Sequence, residues 1–340
     1  MKNTTHQIFY NNSTNLTFIK DETVNLVVTS PPYPMIEMWD NIFSENCNFP
    51  VNSISENSKL AFEKMHLFLD KVWSEVNRVL KPNGFVCINI GDATRTLNDD
   101  FQIFMNHSKI IESFSKLGFY VLPTILWRKQ TNSPNKFMGS GMLPAGAYVT
   151  LEHEYILIFR KGSKRSFKSE NDKLLRQESA FFWEERNIWF SDLWDFKGTS
   201  QKLKKSTSRI TSAAYPFELP YRLVNMYSVK GDTVLDPFLG TGTTMLAAIA
   251  SERNSIGVEI DSSLSDEINH NIISSKDILN NRITQRINEH LNFLNNHNGD
   301  IKYFNENHKF KVKTNQEKNI KIHTISDIIK DNAMFHAIYE

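Results

Sequence analysis

Short apolar runs that stop abruptly alternate along this chain with stretches of helical period, and no other feature restricts the fold as much. Asn25 to Thr29 is such a run, cut off by Ser30-Pro31-Pro32-Tyr33. Proline has no backbone donor and pushes the residue before it away from helix, so a loop begins at the strand's end. Lys59 to Leu80 carries Met65, Leu69, Val72, Val76 and Val79 on one stripe, as an amphipathic helix does, and Lys81-Pro82-Asn83-Gly84 stops it. Phe85 to Ile90 reads as a strand closed by Gly91-Asp92, and Ile103 to Leu117 as a helix capped by Gly118. Phe119 to Trp127 and Tyr155 to Phe159 read as further strands. Later come a helix over Glu218 to Tyr227, a short strand Val234-Leu235-Asp236, a helix over Thr243 to Ala250 and a strand over Ser255 to Ile260. Strands alternating with helices predict an α/β fold, a mainly parallel sheet with helices on both faces.

The 340 residues suffice for one large domain or two modest ones, and 40% hydrophobic residues suffice for a core. A formal net charge of +1 names no partner, so a nucleic-acid surface has to come from clustering. Arg160 to Arg209 supplies a cluster, with thirteen basic and seven acidic residues. Phe167, Phe181, Phe182, Trp183, Trp189, Phe190, Trp194 and Phe196 are interleaved with them. The stretch reads as a DNA-contacting surface, or else as a solvated insertion with its own small core. Two cysteines, Cys47 and Cys87, are neither a disulfide framework nor a metal quartet, and fit a reducing cytoplasm. The opening Met1-Lys2-Asn3-Thr4-Thr5-His6 has no apolar run after a basic region, and the apolar stretch near Met245 to Ala250 is far too short to span a bilayer. A cytoplasmic protein with no membrane partner is expected. The ten histidines are scattered without metal-ligand spacing, so no metal is expected, and His153 reads as structural. Residues 281–340 are polar, with helix expected in places.

Asp236-Pro237-Phe238-Leu239-Gly240-Thr241-Gly242-Thr243-Thr244 joins a strand to a helix. Gly240 and Gly242 allow a tight turn and a close ligand approach. The free N–H groups at the start of the helix suit a carboxylate, such as the methionine end of S-adenosylmethionine. Asp236, at the strand tip, is placed for the ligand's ammonium. Gly257-Val258-Glu259 ends the next strand with an acid suited to a ribose diol. No Gly-Lys-Ser/Thr closes the loop and no third glycine follows, so a nucleoside cofactor without phosphates fits better than a nucleotide.

Ser30-Pro31-Pro32-Tyr33 is the second candidate site. Its prolines keep it out of the sheet. The Ser30 hydroxyl and the Pro31 carbonyl can both accept hydrogen bonds, and an exocyclic amine offers two donors. Holding both hydrogens turns the nitrogen lone pair out of the base plane, toward an in-line methyl donor. Tyr33 offers a flat face to an extruded base. Taken alone, the tetrapeptide also fits an ordinary Pro-Pro turn.

The two loops together resemble those of the amino-methylating DNA methyltransferases of bacterial restriction–modification systems. With Ser-Pro-Pro-Tyr first and Phe-x-Gly-x-Gly last, the order resembles their beta group, a circular permutation of the usual arrangement. The likeness covers roughly residues 8 to 280. It takes in Leu80-Lys81-Pro82-Asn83-Gly84, Ile125-Leu126-Trp127-Arg128-Lys129, His153-Glu154-Tyr155 and Ala214-Tyr215-Pro216. The resemblance implies a Rossmann-like, seven-stranded methyltransferase sheet in permuted order. Its catalytic half would be 1–159, its target-recognition region 160–209 and its cofactor-binding half 210–280, followed by an extension at 281–340. It implies S-adenosyl-L-methionine as cofactor, double-stranded DNA as partner and a cognate restriction endonuclease as functional counterpart. Ser30, Pro31, Pro32 and Tyr33 would be catalytic, and Asp236, Phe238, Gly240, Gly242, Thr243 and Glu259 would bind cofactor. Tyr215 and Pro216 fall where the family packs an aromatic against the cofactor. Asn12 falls where many members have an acid that meets the cofactor's adenine amine, and its amide oxygen can accept the same bond. Serine at position 30, after Thr29, resembles the cytosine-N4 branch, whereas adenine-N6 members usually carry aspartate or asparagine there. The implied activity is methylation of cytosine N4 in duplex DNA after base flipping. The alternatives are adenine-N6 methylation and a non-catalytic DNA-binding regulator on the same scaffold.

Three further residues have two readings each. Asp92 follows a strand at the catalytic edge, where an acid either takes part in the chemistry or caps backbone N–H groups. Trp39 either walls the base pocket or packs in the core. Cytosine-C5 chemistry would need a cysteine nucleophile, for which Cys87 inside a strand and Cys47 in a polar stretch are both poorly placed.

Overall fold

A computed structural model describes residues 3–129, 138–139, 142–198 and 215–340. Residues 199–209 of the basic stretch, Ala214 of the Ala-Tyr-Pro motif, and Met1 and Lys2 lie outside the described residues. The core is an eleven-stranded mixed sheet. In chain order its strands are β1 (Asn3–Tyr10), β2 (Val24–Thr29), β3 (Leu80–Ile90), β4 (Phe119–Val121), β5 (Ile125–Arg128), β6 (His153–Lys161), β7 (Leu193–Asp195), β8 (Thr233–Asp236), β9 (Asn254–Glu259), β10 (Ile325–Asp331) and β11 (Met334–Tyr339). Across the sheet they run β7-β5-β6-β3-β2-β8-β9-β1-β11-β10, with β4 also paired to β6. From β3 through β1 every pairing is parallel. β6 and the β10–β11 hairpin join antiparallel.

The expected seven strands are present as β1, β9, β8, β2, β3, β6 and an interrupted seventh made of β4 and β5. The interruption falls at Pro123, because a proline cannot donate to the ladder. The remaining strands, β7, β10 and β11, widen the sheet at its two edges. Residues 281–340, expected to be polar with some helix, thus supply two strands of the main sheet. Phe335, Ala337 and Tyr339 are buried there, and the Tyr339 hydroxyl bonds Thr4 Oγ1 at 2.7 Å and the Ile249 carbonyl at 2.8 Å.

Helices cover both faces, as the alternation predicts. On one face lie α1 (Asp40–Cys47), α2 (Ser58–Val79) and α3 (Asn106–Lys116), with Phe43, Met65, Trp73, Val76 and Phe114 in the core. On the other lie α6 (Glu218–Tyr227), α7 (Thr243–Ala250), α8 (Ser265–Ile273) and α9 (Lys276–Asn296), with Leu219, Met245, Ile268 and Leu279 inward. Between β6 and β7 the chain forms α4 (Glu170–Glu178) and α5 (Trp183–Trp189). Side chains of a strand alternate between the faces. Leu26 and Val28 of β2 join the second core, while Val27 joins the first. Val24 shares the face of Val27 because the ladder to β3 slips between Val24 and Leu26. No helix among the described residues is long and apolar enough to cross a membrane.

Candidate active site

Parallel strands end at one edge of a sheet, and in such sheets the loops beyond those ends form the ligand crevice. Here the loops after β1, β2, β8 and β9 enclose a pocket of about 570 Å³ including its open mouth. Its walls bring together Asn12, Ser30, Pro32, Phe238, Gly240 and Glu259 of the expected site residues. The sequence reading missed Ser13, Ile42, Phe68, Pro237, Val258 and Ile260, which line it too. Phe68 lies on the buried side of α2, and nothing in the helical pattern separates a pocket wall from ordinary core. Trp39 also lines the pocket.

The glycine-rich loop turns as its sequence requires. Gly240 and Gly242 have φ of 54° and 93°, a region that side-chain-bearing residues rarely enter. Glu259 secures the loop from the neighbouring strand, since its Oε2 accepts the Gly240 N–H at 2.8 Å and its Oε1 the Asp261 N–H at 2.9 Å. Thr243 opens α7 directly behind Gly242. Gly242 and Thr243 are not among the residues that line this pocket.

Asp236 is 2% exposed and lies beneath the pocket, not on its wall. Its Oδ1 accepts from Thr29 Oγ1 at 2.6 Å and from the Phe238 N–H at 3.0 Å. Its Oδ2 accepts from Thr244 Oγ1 at 2.5 Å and from the Tyr215 hydroxyl at 3.2 Å. Burial raises its pKa, against the pull of those four bonds. Through Thr29 these bonds tie β2 to β8, the strand that Asp236 ends. Tyr215 and Pro216 are buried in the same layer and also stand off the pocket wall. Burial and the Asp236 charge push the Tyr215 phenol well above its ordinary range.

Asn12 lines the pocket, but its amide oxygen is turned into its own loop. It accepts the Thr14 N–H at 3.0 Å and Thr14 Oγ1 at 2.9 Å, while its nitrogen donates to Asn46 on α1 at 2.9 Å. The acceptor role expected of Asn12 is therefore already filled from within the protein.

On the other side of Ser30, Tyr33 lies against Gly91. A methyl group on Gly91 would come within 3.0 Å of the Tyr33 ring. The Tyr33 hydroxyl sits 3.2 Å from Ser30 Oγ, 3.0 Å from Glu154 Oε2 at the start of β6, and 2.8 Å from Asn89 Nδ2 of β3. Glu154 also pairs with Lys129. Pro31 is buried. Asp92 accepts the His107 N–H in the first turn of α3 at 3.1 Å and lies 2.8 Å from the His107 ring, which supports its capping reading. Both thiols are raised by burial, Cys47 to about 11 and Cys87 further, so neither is an activated nucleophile. Among the described residues no cluster suits a metal ion.

The structure divides the basic stretch. Lys161 donates to the Asn77 and Leu80 carbonyls, Ser163 bonds Asn83, and Arg165 pairs with Asp232 at 2.6 Å. All of these partners stand where β3 and β8 begin, so this part lies at the opposite end of the sheet from the pocket. Ser179, at the end of α4, accepts the Lys230 N–H at that same end. Many of the interleaved aromatics are core: Phe182, Trp189 and Trp194 are at most 3% exposed. The Phe167 ring is covered by Arg165 and Arg176, each 4.9 Å from its centroid. From β7, parallel to β5, the chain heads back toward the edge that carries the pocket.

The family model for DNA methylases that act on N6 or N4 amines matches residues 24–270, which span the strands on both sides of the pocket. The Type II methyltransferase M.MthZI of Methanothermobacter thermautotrophicus is 54% identical over 94% of this chain and 90% of its own length. The Type II methyltransferase M.MjaI of Methanocaldococcus jannaschii is 52% identical over 79% of this chain and 91% of its own. TTHA0409 of Thermus thermophilus, described as a putative DNA modification methylase and solved with S-adenosyl-L-methionine, is 30% identical with a TM-score of 0.60, covering 81% of this chain and 94% of its own. A likeness of this depth over nearly the whole length leaves no other assignment: the chain belongs to the N6/N4 family of DNA methylases.

Proposed function

We propose that this enzyme transfers a methyl group from S-adenosyl-L-methionine to N4 of cytosine in duplex DNA, with the target base flipped out of the helix. The observation that carries the reading is a pocket that joins Ser30 and Pro32 of one loop to Phe238, Gly240 and Glu259 of the other. The lining suits the cofactor. Phe238, Trp39, Phe68 and Ile260 offer aromatic and apolar walls to a purine, and Glu259 offers carboxylate oxygens to ribose hydroxyls. When bound, the cofactor supplies an electrophilic methyl group.

The protein's part is then positioning. Ser30 Oγ and the Pro31 carbonyl take the two amine hydrogens, and the lone pair of the nitrogen is left pointing at the methyl carbon. The nitrogen–carbon bond forms as the carbon–sulfur bond breaks, and one amine hydrogen then leaves as a proton. Tyr33, whose ring is partly exposed, stacks on the flipped base. The hydroxyl at position 30, in place of the carboxylate or amide usual for adenine, supports cytosine. DNA would lie across the edge that carries the pocket, and a restriction endonuclease of the same specificity would be the functional counterpart. Duplex DNA methylated by the protein, digested to nucleosides and analysed by mass spectrometry, is expected to contain N4-methylcytosine. N6-methyladenine in its place would move the activity to the family's adenine branch.

A further inference from the structure

Ser30 helps to hold the amine only if its lone pairs, rather than its proton, are turned to the substrate, and nothing in Ser-Pro-Pro-Tyr decides which way that proton points. We infer that Glu154, ion-paired with Lys129 and bonded to Asn89, is a positioning residue that fixes the proton direction of the catalytic loop through Tyr33. The inference rests on the proposed function of Ser30 and adds to it a residue from β6, two strands away in the sheet.

The assignment follows from counting donors and acceptors. The Tyr33 hydroxyl has one proton and two lone pairs, and three groups surround it. Glu154 Oε2, at 3.0 Å, belongs to a carboxylate beside the Lys129 ammonium and can only accept. Asn89 Nδ2, at 2.8 Å, can only donate, and it also donates to the same Glu154 oxygen at 2.6 Å. The Tyr33 proton therefore goes to Glu154, and one Tyr33 lone pair is taken by Asn89. What remains for Ser30 Oγ, at 3.2 Å, is the second lone pair, so Ser30 donates to Tyr33. Both lone pairs of Ser30 Oγ are then left for the amine.

Asn89 carries a mark of this arrangement. It is 2% exposed, yet its Oδ1 has no hydrogen-bond partner among the described residues. A buried oxygen left unpaired is costly and persists only where the alternative is worse. Turning the amide over would set that oxygen against the Glu154 carboxylate. The Tyr33 phenol is raised well above its ordinary range, by burial first and by the Glu154 charge second, so it keeps its proton. Gly91 completes the support. A Cβ there would meet Tyr33 Cε2 at 3.0 Å and Glu154 Cγ at 3.3 Å.

The test is a mutant cycle in single turnover, with labelled S-adenosylmethionine and duplex genomic DNA, on wild type, Glu154→Gln, Tyr33→Phe and the double variant. Glutamine keeps the shape but can donate as well as accept, so the direction is no longer set. The expected result is transfer slowed roughly tenfold or more in Glu154→Gln, with cofactor affinity and melting temperature near wild type. The double variant is expected to be no slower than Tyr33→Phe alone, because Glu154 acts through that hydroxyl. Wild-type transfer by Glu154→Gln, or losses that multiply in the double variant, would overturn the inference. Transfer absent from the wild-type protein would instead count against the proposed function. In that event, ligand-free crystal structures of wild type and Glu154→Gln still decide. Neutron maps are expected to place the Ser30 hydroxyl hydrogen toward Tyr33 in the first and not in the second, and the same placement in both would overturn the inference.

Discussion

At the level of single residues, Tyr33, Gly91 and Glu154 are packed closely together. Gly91→Ala sets a methyl group 3.0 Å from the Tyr33 ring, closer than carbon atoms normally approach. Either the ring or the end of β3 must yield. Overpacking of this kind costs about 1–3 kcal/mol, and the displaced ring takes its hydroxyl away from Ser30. Gly91→Ala is therefore expected to slow methyl transfer more than it lowers cofactor affinity, as separate single-turnover and binding measurements would read. Some of this was legible in the sequence. Ser30, Phe238, Gly240 and Glu259 are marked by loop chemistry, and the structure brings them together. Asn89 and Glu154 are not, because a polar residue within an apolar strand gives no sign of which residue from another strand it meets. Asp236 was read as facing a ligand because strand-tip acids often do. Its bonds to Thr29, Thr244 and Tyr215, far apart in sequence, are not legible there.

Among the elements, those with a full period and clear stops were the legible ones. The helices over Glu218–Tyr227 and Thr243–Ala250 fall where the pattern puts them, and α2 is displaced by a single residue. Ile103, read as the start of a helix, lies instead in a hairpin of Ala93–Leu97 and Asp100–Phe104. Its turn is Asn98-Asp99, both at positive φ, a pairing that favours a tight hairpin and that apolar periodicity does not register. The C-terminal hairpin β10–β11 was illegible because its partner β1 lies some three hundred residues upstream. The same edge carries a pH response. His6 of β1 bonds Ser255 of β9 at 2.7 Å and Thr4 at 2.8 Å, and burial first, with His336 second, lowers its pKa to about 3. The unfolded imidazole takes a proton near pH 6.5, whereas the folded one stays neutral, so stability is fully present above that pH and falls as pH drops toward 3. His66, lowered to about 4 chiefly by burial, acts in the same direction. Urea midpoints at pH 7.5 and pH 5 are expected to fall by the equivalent of about 2 kcal/mol for His6 alone, and by less in His6→Gln.

For the molecule as a whole, the sheet has two ends with different work. The ends of β2, β8 and β9 carry the pocket, while the opposite end holds ion pairs such as the buried Lys230–Glu252 and the more exposed Arg165–Asp232. A count of basic residues from Arg160 to Arg209 cannot separate these ends, because β6 carries the chain away from the catalytic edge and β7 leads it back. Lys173 and Arg176 stand on α4, at the far end. Their joint replacement by alanine is expected to leave DNA affinity within about twofold and the salt dependence unchanged, since contacts to phosphates would steepen that dependence. A marked loss would place DNA on that end of the sheet. The central claim, that Ser30 holds the amine while the glycine-rich loop holds the methyl donor, is tested most directly by Ser30→Ala. Single-turnover transfer to duplex DNA is expected to fall roughly a hundredfold, the usual effect of deleting one positioned hydrogen-bonding group, with cofactor affinity intact. Transfer by Ser30→Ala at the wild-type rate would contradict it.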